Sequence, residues 1–67
     1  MGLNSENFFE LIHLGFAHKR KQLFGNLQQK FDKVLLEKTF ETLSIDKKIR
    51  AEDVSLETWI EIQKKLY

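Results

Sequence analysis

A chain of 67 residues with a formal net charge of +1, no cysteine and no proline holds one small domain at most. This composition excludes disulfides and thiolate metal sites, and the near-neutral balance excludes the bulk positive field of a protein that grips nucleic acid by charge alone (domain pI above ~9). With three glycines the chain has few interruptions to helix, and no stretch alternates apolar and polar residues as a half-buried strand would.

A domain this small buries only about 60% of the surface its unfolded chain exposes, so its stability margin is thin. The expected remedy is a neighbouring domain outside this chain, with oligomerisation or unaided helix packing as the other routes. No basic start followed by a continuous apolar run marks a secretory signal. The longest apolar run is Val34-Leu35-Leu36, far short of a membrane span. A soluble, cytoplasmic protein is the expectation, and the lack of cysteine fits a reducing compartment.

The first helix is predicted to start near Asn4 or Ser5, either of which can cap free N–H groups, with Glu6 and Glu10 early, where the helix dipole favours negative charge. Phe8, Leu11, Ile12 and Phe16 recur at three- and four-residue steps and predict its buried face. Gly15 inside that pattern costs about 1 kcal/mol against alanine, which points to a close approach by another element. The helix should end or bend around His18 to Lys21. A short second helix follows over about 21–30, with Leu23 and Leu27 inward and Phe24 beside them, weakened by Gly25. Asp32 is placed to cap a third helix from Lys33 to about Leu43. Its stripe is Leu36, Phe40 and Leu43, broadened by Val34 and Leu35. Residues 44–54 read as a connector with one helical turn after Asp46. Ser55 caps a fourth helix carrying Leu56, Trp59, Ile60, Gln63 and Leu66, with Lys64 and Lys65 at the end that suits cations. The expected architecture is an all-α bundle of four short helices with orthogonal-type packing.

Chemistry is sparse. His13 and His18 lie five apart and point to different sides of one helix, and no His/Glu metal signature or glycine-rich phosphate loop is present. A nucleophile and base need a pocket that excludes water, and four short helices leave little room for one. No catalytic, cofactor-binding or metal residue is assigned. The concentrated charge is His18-Lys19-Arg20-Lys21, which follows an apolar helical face and cannot be buried unpaired. Two readings stand: a solvated helix end, whose cations complement the dipole and whose stems cover apolar surface, or a phosphate clamp, in which adjacent cations at a bend reach several phosphates. Asn26 either caps a turn or adds a hydrogen bond. Lys47, Lys48 and Arg50 form a second cationic group, either an ordinary charged loop or an auxiliary phosphate surface. Phe8 and Phe9 point about 100° apart on a helix, so both cannot enter one small core. One is core and the other rim, or one belongs to an interface with another body. Trp59 is read as core, with base stacking as the alternative.

These residues carry a resemblance. The run Phe8-Phe9-x-Leu11-Ile12, Phe16, His18-Lys19-Arg20-Lys21, Leu23 and Asn26-Leu27 resembles the start of the C-terminal domain of ribosomal RNA adenine dimethyltransferases. The later segment Leu43-Ser44-Ile45-Asp46, Arg50-Ala51-Glu52 and Ser55-Leu56-Glu57-x-Trp59 is similar to that family's close. Departures are Ser44 where glycine is usual, Lys47 where proline is common, Lys19 for arginine and Gln22 for threonine. The resemblance implies a parent enzyme that transfers methyl groups from S-adenosylmethionine to adjacent adenosines of small-subunit ribosomal RNA. Its cofactor site and catalytic motif would lie in an N-terminal Rossmann-like domain absent from this chain. Residues 1–67 would then be a single helical module, inactive alone, that binds and positions ribosomal RNA through Lys19, Arg20 and Lys21, with Lys47, Lys48 and Arg50 as further contacts. Phe8 and Phe9 would face the missing catalytic domain. The rival readings are a helix-turn-helix DNA-binding module, disfavoured by the acidic start Ser55-Leu56-Glu57 of the fourth helix, and a protein-interaction bundle with no nucleic-acid role.

Overall fold

The computed structural model describes residues 5–67. Four α-helices follow one another: α1 (Ser5–Gly15), α2 (Leu23–Leu27), α3 (Lys33–Thr42) and α4 (Leu56–Leu66), with a 3-10 turn at Ala51–Asp53 before α4. No strand occurs among the described residues. Helix α1 packs on both α2 and α4, and α3 packs on α4. Leu11 of α1, Leu23 and Leu27 of α2, Leu36 and Phe40 of α3, and Trp59 and Ile62 of α4 meet in one core, closed by Phe31 and Ala51.

Two helix starts follow their capping residues. The Asp32 carboxylate accepts from the Val34 N–H at 3.0 Å, and the Ser55 hydroxyl accepts from the Thr58 N–H at 3.2 Å. The predicted cap at Asn4 lies outside the described residues, and Ser5 is already helical. Helix α3 ends in a Schellman turn: the Ile45 N–H donates to the Phe40 carbonyl at 2.8 Å and the Ser44 N–H to the Glu41 carbonyl at 3.1 Å. Ser44 sits there at φ 56°, the left-handed conformation that favours glycine. This explains why the related pattern has glycine at that place.

Three expectations need correction: the place of Val34 and Leu35, the length of α2 and the place of Phe16. Val34 is 68% exposed and Leu35 39% exposed, because α3 turns Leu36 and Phe40 inward and Val34, about 200° from Leu36, outward. Helix α2 is only five residues long; the chain continues in turns to Phe31, whose ring joins the core. In α4 Trp59, Ile62 and Gln63 point inward and Leu56 at the first turn is 65% exposed. The connector's helical turn, expected after Asp46, is the 3-10 segment at Ala51–Asp53. Phe16, expected on the inward face of α1, follows the last helical residue and is 50% exposed, its ring stacked on Trp59 instead of entering the core.

Gly15 permits the α1–α4 contact. A Cβ there would lie 2.6 Å from Cη2 of Trp59 and 3.0 Å from Cδ1 of Leu23. A methyl group has no room in that gap without displacing an indole ring already held in the core. Gly25 has open space around it.

Candidate nucleic-acid interface

Between α1 and α2 the chain makes an exposed turn over residues 16–22 that is held from beneath. Asn26, 1% exposed, donates from Nδ2 to the carbonyl of Gly15 at 2.7 Å and to that of His18 at 3.2 Å. One buried amide thereby ties the end of α1 to the start of the cationic run, and its Oδ1 has no partner among the described residues. The Lys21 N–H closes the turn on the His18 carbonyl at 3.1 Å. The order of this segment therefore comes from α2, which orients Asn26, and not from helical continuation of α1.

The connector before α4 runs alongside. The Leu23 N–H donates to the Ile49 carbonyl at 2.9 Å, and the Arg50 guanidinium donates from Nη1 to the Lys19 carbonyl at 3.2 Å. These contacts bring Arg50 beside residues 31 positions earlier in the chain. Between the two segments lies a groove of about 210 Å³. One wall is Gly15, Phe16, His18, Lys19 and Lys21; the other is Arg50, Ala51 and Glu52.

The two cationic groups are thus divided differently from their order in sequence. Lys19, Lys21 and Arg50 share the groove, with Arg20 exposed on the same turn. Lys47 is drawn away: its ammonium pairs with Glu37 at 3.1 Å and lies 5.5 Å from the centre of the Phe24 ring. Lys48 is exposed, in a turn where its N–H donates to the Asp46 carboxylate at 2.8 Å, and it does not line the groove. The ion pairs among the described residues engage Lys30, Lys47 and Lys64; none engages Lys19, Arg20, Lys21 or Arg50. Sequence reasoning missed the part of Phe16 and Glu52 in this groove. The position of Phe16 directly after Gly15 was the available signal, because a helix that stops at the glycine releases the next side chain from the core-facing period.

At the other end of α1, Phe8 is half-buried against the core and Phe9 is 70% exposed. There too, the Glu10 carboxylate accepts from the Lys30 ammonium and from the Tyr67 hydroxyl, the latter at 2.6 Å. The bonds from Lys30 and Tyr67 hold the Glu10 carboxyl below the usual carboxylate range, while burial and the Glu10 bond push the Tyr67 phenol up. The Lys30 ammonium also lies 5.0 Å from the Tyr67 ring centre and 5.8 Å from that of Phe31. Among the described residues no group of three or more His, Asp or Glu side chains is placed to hold a metal ion, and no helix is long and apolar enough to cross a membrane.

No family model matches the chain. Individual proteins do. It is 41% identical over 58 residues to a ribosomal RNA small subunit methyltransferase A of Rippkaea orientalis, covering 87% of this chain and 21% of that protein. Against the protein of the same name from Trichormus variabilis it is 44% identical over 52 residues, covering 78% of this chain and 19% of the relative. Against that of Lactiplantibacillus plantarum it is 35% identical over 65 residues, covering 90% and 22%. The chain spans about a fifth of the length of these relatives. It belongs to the ribosomal RNA small subunit methyltransferase A family and corresponds to the C-terminal part of it.

Proposed function

We propose that this chain is the RNA-positioning helical module of a ribosomal RNA adenine dimethyltransferase, a cytoplasmic enzyme of ribosome maturation. The observation that carries this reading is the set of four cations, Lys19, Arg20 and Lys21 on one turn and Arg50 on the adjoining connector, with no ion-pair partner among the described residues. Cations left unpaired at a rigid turn form a ready contact for phosphates, and arginine adds bidentate geometry. Recognition of this kind reads the shape and backbone of a folded RNA, not its sequence. Lys48 is an outlying contact at the same end of the connector. Lys47 contributes less, because Glu37 already offsets its charge.

Methyl transfer belongs to the whole enzyme, with an N-terminal catalytic domain that binds S-adenosylmethionine. The groove of this chain does not fit that cofactor: its rim is cationic and the sulfonium of S-adenosylmethionine is itself positive. Alone, the module holds RNA and methylates nothing. The exposed Phe9 ring, with half-buried Phe8 behind it, supplies the apolar surface that the catalytic domain covers.

The test is a titration with a small-subunit ribosomal RNA hairpin at two salt concentrations. Wild-type chain binds more weakly at the higher salt. The Lys19→Ala/Arg20→Ala/Lys21→Ala chain loses most of the affinity, and its dependence of log K on log salt flattens by about three units, one for each phosphate contact removed. Unchanged affinity and slope in that variant would falsify the clamp.

A further inference from the structure

The groove holds more than positive charge. Phe16 forms part of its wall with half of its surface exposed. Its ring lies offset against Trp59, with centroids 6.1 Å apart and planes inclined by 27°, and half of the residue's surface stays exposed. A half-exposed phenyl ring beside a core tryptophan is poorly explained as packing alone. Glu52 is the second unusual member: it brings a carboxylate into a groove otherwise rimmed by His18, Lys19, Lys21 and Arg50. A site for bare phosphate is weakened by a carboxylate, whereas a ligand that carries both a phosphate and N–H donors uses one.

We infer that this groove takes one unpaired nucleotide of RNA. Its base lies on the exposed part of the Phe16 ring and continues the Phe16–Trp59 stack, its phosphate meets Lys19, Lys21 and Arg50, and its amino edge turns toward Glu52. The inference rests on the RNA reading above and adds to it the kind of nucleotide that is held. A paired base in an A-form helix is already stacked on both faces and has none to offer, so the site selects a bulge, a loop or a strand end. The volume of about 210 Å³ suits a single base rather than a base pair. Both walls are held in place without a ligand, by Asn26 bonding to the Gly15 and His18 carbonyls and by Arg50 bonding to the Lys19 carbonyl, so little ordering is needed on binding.

Trp59 is the only tryptophan and reports on the stack directly. Two RNAs serve as probes, titrated into the full chain: a stem carrying one unpaired adenosine, and the same stem fully paired. Wild-type chain is expected to bind the bulged stem about tenfold more tightly, with a change in tryptophan fluorescence that the paired stem does not produce. Phe16→Leu removes the tenfold preference and keeps salt-sensitive binding of the paired stem; Phe16→Tyr retains the preference. Should Phe16→Leu fail to fold, as thermal unfolding would reveal, the wild-type comparison and Phe16→Tyr decide the matter. Equal affinity of wild-type chain for the two stems, loss of the preference in Phe16→Tyr, or a folded Phe16→Leu chain that keeps it overturns the nucleotide site and leaves the phosphate clamp standing. If wild-type chain shows no salt-sensitive binding to either stem, the clamp and the nucleotide site fall together.

Discussion

Lys30 and Lys21 are both exposed lysines next to turns, yet the fold uses them in opposite ways. Lys30 is engaged by the chain itself: its ammonium meets the Glu10 carboxylate and lies over the rings of Phe31 and Tyr67. This ties α1, the end of the α2 turn and the last residue into one surface cluster. Lys21 sits on the α1–α2 turn with Lys19, Arg20 and, across the groove, Arg50, and among the described residues no carboxylate lies within ion-pair distance of any of them. Where a cation has an internal acceptor, it closes the surface of the domain. Where several are gathered without one, on a backbone already fixed by Asn26 and Arg50, the domain presents charge outward. The location of positive charge thus says less than what the fold has done with it.

The largest expected difference between the two regions is in RNA affinity. Lys30→Ala should leave binding of a ribosomal RNA hairpin within about twofold of wild type, while the triple alanine variant of Lys19, Arg20 and Lys21 lowers it by an order of magnitude or more at low salt. Equal losses in the two titrations would mean that the Lys30 cluster is also part of the RNA surface.

Next comes the support beneath the turn. Asn26→Ala removes two hydrogen bonds and leaves the buried Gly15 carbonyl unsatisfied, a loss of about 2–3 kcal/mol in urea unfolding. In a chain that still folds, RNA affinity should fall as well, although Asn26 itself is buried. A stability loss with unchanged RNA binding would show that the turn keeps its shape without the amide.

Gly15 and Gly25 sharpen the comparison further. Gly15→Ala pushes a methyl group into the Trp59 ring and should cost about 1–3 kcal/mol. Gly25→Ala meets open space on a helix with no positive φ and should stabilise by about 0.5–1 kcal/mol. Thermal unfolding of both variants with wild type as reference measures the opposite signs.

The smallest effect belongs to the Glu10 cluster. The folded state holds the Glu10 carboxyl below its unfolded value, so its contribution is present above about pH 4.3 and fades as pH falls through the lower folded value. Glu10→Gln should flatten the acid limb of the stability curve slightly. The raised Tyr67 phenol has the opposite sign: its contribution is present below about pH 10 and fades at higher pH. Tyr67→Phe should remove that alkaline limb in a pH titration of the unfolding midpoint.

Much of this was legible in the residue order. Asp32 and Ser55 cap the helices they were expected to cap, because a short polar side chain before an apolar period acts locally. The close approach at Gly15 and the charged turn after it were readable for the same reason: absence of a side chain and density of charge are local facts. The resemblance to the methyltransferase family needed only the spacing of such residues along the chain.

Other features depended on distance in space. No local signal says that Arg50 reaches the Lys19 carbonyl 31 residues away, or that Glu37 takes Lys47 out of the cationic set. Likewise, Phe16 matches the period of α1, but the helix stops one residue before it, and only the position of Trp59 on α4 decides where its ring comes to rest. The sequence by itself determined four helices, the caps of two of them and a dense cationic turn, since each arises from interactions within a few residues. Which cations stay free, and that they surround a half-exposed ring, was decided by tertiary packing, because charge pairing and stacking join residues that only the folded chain brings within reach.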